Sequence, residues 1–95
     1  MTDMKLTLPT IHLNGTSAES LMEGYQKAYE AVSEAILAVA RAYPNARDYY
    51  PQGNEAFSGA MLEHGRRLML LQTVGRELET LIVGISDLEA AYHRR

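Results

Sequence analysis

Arg47, Asp48, Tyr49, Tyr50, Gln52 and Asn54 are the densest run of chemically capable side chains in the sequence, within Arg47-Asp48-Tyr49-Tyr50-Pro51-Gln52-Gly53-Asn54. A guanidinium beside phenol rings suits a small molecule that carries both a phosphate and a base. The arginine can grip the phosphate through two parallel hydrogen bonds, and a ring gives the base a stacking face. Asp48 adds an acceptor, and the Gln52 and Asn54 amides add donors and acceptors. A plainer reading of the same residues is that the tyrosines close the end of a helix bundle while Arg47 pairs with Asp48. No spacing in the run is unique to nucleotide sites. His12 and Asn14 form a second polar set, which joins the first only if a crossing of chains brings them there.

Other chemistry finds little footing. Ser17, Ser20, Ser33, Ser58 and Ser86 lack the strand-turn-helix motif of a nucleophile elbow. Glu30, Glu34, Glu63 and His64 have the side chains of a carboxylate-bridged di-iron bundle but not its Glu-x-x-His spacing. His12, His64 and His93 are far apart, and with no cysteine in the chain a zinc site is not expected. The expectation is a protein with no catalytic residue, no metal and no cofactor. Arg66 and Arg67 could meet an anion, but a solvated helix face with Glu63 one turn back explains them equally well.

Nine Lys and Arg against twelve Asp and Glu give a net charge of −3. The basic pairs Arg66-Arg67 and Arg94-Arg95 are too short to form the stripe that duplex nucleic acid requires. No segment approaches the ~18 apolar residues of a membrane span. The stretch from Met1 to Pro9 is too short for a signal-peptide core. These features describe a soluble, unexported, cytoplasmic chain. At 95 residues it forms one domain, and a domain of that size builds a marginal core that oligomerisation can extend.

The elements that must position the loop are helices. Residues 1–15 read as an extended arm, with Leu6, Leu8, Ile11 and Leu13 apolar and Pro9 interrupting the alternation. Asn14-Gly15 signals a turn. Thr16 and Glu19 read as a capping box that opens a helix over 17–42. Met22, Tyr29, Ile36 and Tyr43 recur every seven residues, as do Tyr25, Val32 and Val39, which makes a coiled-coil-like seam. Pro44 ends that helix. A loop over 43–54 follows, with Asn54 the expected cap of a second helix over 55–91. In that helix Leu71, Val74, Leu78, Leu81, Ile85, Leu88 and Tyr92 keep 3-4 spacing, while Leu68-Met69-Leu70-Leu71 is apolar all round. An apolar circumference asks for burial on more than one side. Gly59, Gly65, Gly75 and Gly84 mark either close helix crossings or tolerated weak spots, and the helix could be broken at Gly65 or Gly75. The fold class is therefore all-α. A single domain over 1–95 forms a long antiparallel helical hairpin with an N-terminal arm, assembled into a homo-oligomeric bundle, dimer or higher.

Two segments, Ile11-His12-Leu13-Asn14-Gly15-Thr16-Ser17 and Asn45-Ala46-Arg47-Asp48-Tyr49-Tyr50-Pro51, carry a resemblance. The chain resembles small proteins of tailed phages and prophages that have similar segments around two helices. In size and hairpin plan it is also similar to phage sponges that oligomerise and sequester nucleotide immune signals, the anti-CBASS and anti-Thoeris proteins. The resemblance implies an anti-defence protein in the host cytoplasm. It would bind a cyclic nucleotide or an ADP-ribose-type ligand without catalysis. Arg47, Asp48, Tyr49 and Tyr50, with His12 and Asn14, are the expected contacts. The alternative is an interaction module of phage origin that blocks a host protein, or serves phage replication or assembly, through a helical surface.

Overall fold

A computed structural model describes residues 5–93. The Arg94-Arg95 pair and the first four residues, on which part of the charge and export reading rests, lie outside them. Two helices dominate: α1 over Ala18–Arg41 and α2 over Asn54–His93, with two 3-10 turns between them at Ala46–Asp48 and Tyr50–Gln52. No strand occurs among the described residues. The chain is an all-helical hairpin.

Local signals set the ends of α1. The cap is Ser17, not Thr16: its backbone is extended and its hydroxyl accepts from the Ser20 N–H at 3.1 Å. Glu19 then falls at the second helical position, outside the reciprocal capping-box geometry. With this register Ala18 opens the helix, and it is buried. At the other end the Ala42 N–H donates to the Val39 carbonyl at 3.0 Å, tightening the last turn two residues before Pro44. The second helix starts one residue earlier than expected. Asn54 is its first residue rather than its cap, and it follows Gly53, whose φ of +111° suits only glycine.

α2 is continuous through Gly65 and Gly75 and has 40 residues, about 60 Å at ~1.5 Å per residue. Two of its glycines have a packing role. Gly75 is buried, and a Cβ there would sit 3.7 Å from Val32 Cγ1 of α1. At Gly84 a Cβ would lie 2.8 Å from Leu8 Cδ2, so the N-terminal segment seats a leucine on bare helix backbone. Gly59 and Gly65 have nothing within 4 Å and are the tolerated kind.

The seam between the helices is thin. Met22, Tyr25, Tyr29, Val32, Ile36 and Val39 of α1 are half-buried, as are Leu71, Leu78 and Leu81 of α2. Among the described residues only Ala18, Ala60, His64, Gly75 and Ile85 are buried. Tyr43, Val74, Leu88 and Tyr92, which the heptad pattern assigns to the seam, stay exposed. One partner helix covers one stripe, and these four fall at its ends or edge. The hairpin measures 66 × 25 × 18 Å with a radius of gyration of 19.3 Å, against about 12 Å for a compact domain of this length. Its accessible surface is 7499 Å², where a compact monomer of this mass shows about 5,500 Å².

The outer face of α2, turned away from α1, has two halves. Residues 5–11 lie along the distal half. Lys5, Leu6 and Leu8 border a cleft with Glu79, Thr80, Val83 and Gly84. Pro9 to Ile11 continue past Leu88, Ala91 and Tyr92. The proximal half carries Leu62, Met69 and Leu70, with 77, 66 and 62% of their surfaces exposed. At roughly 100° per residue Leu62 and Met69 share one line, and Thr80 and Gly84 continue it beneath the N-terminal segment.

Candidate ligand-binding loop

The loop is built by backbone hydrogen bonds. Asn45 accepts from the Arg47 N–H through its side chain at 3.1 Å, an Asx turn that starts the first 3-10 turn. The Asp48 and Tyr49 N–H groups donate back to Asn45 and Ala46, each at 3.0 Å. Gln52 and Gly53 donate to Tyr49 and Tyr50 at 2.9 and 3.1 Å, closing the second turn around Pro51. Tyr49 is half-buried with its ring 6.3 Å from that of Phe57 in the first turn of α2. That contact ties the loop to the helix.

Arg47, Asp48 and Tyr50 remain outward. Tyr50 is 74% exposed, so its ring does not close the bundle end within one chain. Among the described residues the Arg47 guanidinium makes no ion pair. Among those residues the ion pairs are Lys27–Glu23 and Arg67–Glu63, and His93 Nε2 lies 3.9 Å from Glu89, each pair one helical turn apart. The local Arg47–Asp48 bridge is thus not formed. Arg41, exposed in the last turn of α1, adds a second guanidinium to this end of the hairpin and drew no notice in the sequence. Its signal is position: a basic residue closing a helix that feeds a polar loop.

His12 and Asn14 are elsewhere. The Gly15 N–H donates to the His12 carbonyl at 3.1 Å, making the turn that leads into α1. The His12 ring folds over Gly15, where a Cβ would meet its Nε2 at 2.6 Å. Both residues are exposed at the opposite end of α1 from the loop, about 36 Å away along the helix axis. One chain does not bring the two sets together.

The remaining candidates sort plainly. Glu30 and Glu34 face solvent, and Arg67 pairs with Glu63 at 3.9 Å. His64 is buried, and no group of residues suited to a metal occurs among those described. No described helix is long and apolar enough to cross a membrane. Protein-family models, curated proteins and solved structures give no match to this chain.

Proposed function

We propose that the chain is a non-enzymatic anti-defence protein of phage type. It works as a homo-oligomeric helix bundle and sequesters a small nucleotide signal in the host cytoplasm. The observation that carries this reading is the state of Arg47 and Tyr50. Both side chains are exposed, neither has a polar partner among the described residues, and their backbone is pinned by the Asn45 turn and two 3-10 turns. A backbone already fixed in place spares the loop part of the ordering cost when a ligand arrives. Arg47 grips phosphate, Tyr50 stacks on a base and Asp48 accepts from a ribose hydroxyl or an exocyclic amine. Tyr49 serves by anchoring the loop to Phe57. His12 and Asn14 reach this ligand only from a second copy of the chain. Sequestration requires affinity and no chemistry, so it asks for no catalytic constellation in the sequence.

Native mass spectrometry in the presence of cyclic di- and trinucleotides and ADP-ribose derivatives tests the reading. The expected result is a stoichiometric mass gain with one class, lost in the Arg47→Ala/Tyr50→Ala variant while its helical circular dichroism is unchanged. The bare Leu62, Met69 and Leu70 surface favours a second reading, a module that docks on a host or phage protein. A monomer with no mass gain from any nucleotide selects it.

A further inference from the structure

We infer that the bare proximal half of α2 is the docking surface for a second copy of this chain, packed antiparallel about Arg66. Leu62, Met69 and Leu70 are large and apolar, and they turn away from α1. They lie on the same face of α2 that residues 5–11 cover further along. The N-terminal segment thus satisfies one half of an apolar strip and leaves the other half open. The area agrees. Spread over the whole elongated hairpin, the chain shows 7499 Å², about 2,000 Å² beyond a compact monomer of its mass, and a stable interface takes about 800 Å² from each partner.

A two-fold contact is isologous, so the patch must meet itself. Centring the axis at Arg66 sets Leu62 against the partner's Leu70 on both sides of the axis, with Met69 level with the partner's Glu63 and the long Arg66 stems meeting at the axis. The same register has a consequence at the loop. Asn54 lies about 18 Å from Arg66 along the helix, level with the partner's Leu78. The Tyr50–Gln52 turn then comes to the level of the partner's Val83 and the partner's Gly84. The partner's Lys5, Leu6 and Leu8 lie there, by the positions they hold in each chain. Two copies bring the partner's N-terminal segment to the level of the loop, which a single chain leaves open. This inference rests on the oligomer in the proposed function and names its surface and register.

The chain has no cysteine, so single cysteines report the register directly. Under mild oxidation Arg66→Cys should give a covalent dimer. Leu62→Cys alone should not, while a mixture of Leu62→Cys and Leu70→Cys chains should cross-link to each other. Glu30→Cys, on the exposed side of α1, should stay monomeric. Self-cross-linking of Leu62→Cys as efficient as that of Arg66→Cys would mean parallel packing and would overturn the inference. So would an oligomer by native mass in which Arg66→Cys fails to cross-link. A Leu62→Glu/Met69→Glu variant should shift the native mass to monomer with its helical signal kept, and an intact oligomer in that variant also overturns it. All of these are read without nucleotide. Failure here is therefore distinguishable from failure of ligand binding, which the Arg47→Ala/Tyr50→Ala variant reports.

Discussion

The two halves of the outer face of α2 start from similar apolar material and end differently. The distal half has a glycine on its line, and Leu8 sits on it. The proximal half has leucines and a methionine at that place, and nothing in the chain covers them. What separates them is reach. The Leu13-Asn14 turn sends the N-terminal segment back along the end of α2 nearest to it, and residues 5–11 extend over Glu79 to Tyr92. A strip of apolar surface is a single physical demand, and the chain meets the part of it that its own N-terminal segment can span. The remainder is met by association or not at all.

The largest effect should come from stripping the covered half. Changing Leu6, Leu8 and Ile11 together to serine removes three partly buried apolar side chains, a loss of about 3 kcal/mol. For a chain of this size that lowers the melting temperature by roughly 15 °C, with the helical signal below the transition little changed. The bare half should behave otherwise. Leu62→Ser/Met69→Ser removes little contact within the chain, so its main effect should appear in concentration dependence. The wild-type melting temperature should rise with protein concentration, as it does when folding is linked to association, and that of the variant should not. A concentration-independent wild type would show that the proximal half is bare in solution as well.

The helices were legible because their ends carry local signals. Ser17, Pro44 and Gly53 act within a few residues, so α1 spans Ala18–Arg41 against an expected 17–42, and α2 spans Asn54–His93 against 55–91. Thr16 and Ser17 compete as caps, and the structure uses Ser17, which leaves Ala18 as the buried first residue of the helix. The faces were harder. The 3-4 spacing marked the face through Leu71, Leu78, Leu81 and Ile85 that meets α1, but the apolar circumference at Leu68-Met69-Leu70-Leu71 hid which of its members stay bare. In the structure Leu68 and Leu71 are half-buried while Met69 and Leu70 point out. The path of residues 5–11 was not legible either, since Pro9 spoils the strand pattern and the Leu8–Gly84 fit joins positions remote in sequence. At the loop, Pro44, Pro51, Asn45, Gly53 and Asn54 are residues that define a turn conformation. That Tyr49 anchors while Tyr50 stays free depends on Phe57, across the loop.

The smallest effects test the same contrast one methyl at a time. Glycine to alanine inside a helix should gain about 1 kcal/mol wherever the new methyl has room. Gly65 has room, with nothing within 4 Å, and its Cβ would point to the edge of the bare patch rather than its centre. Gly65→Ala should therefore raise stability by about 0.5–1 kcal/mol in chemical denaturation. Gly84 has none, because the methyl would lie 2.8 Å from Leu8 Cδ2. Gly84→Ala should displace Leu8 and cancel the helix gain. In a Leu8→Ala background the obstacle is gone and the gain should return, a coupling of about 1 kcal/mol between the two positions. Equal gains at 65 and 84 with no coupling would mean that Leu8 does not rest on Gly84 in solution, and the two halves of the face would then be alike. A loss at Gly65 would mean the reverse: something approaches the proximal half closely, and a partner helix of the oligomer is the group positioned to do so.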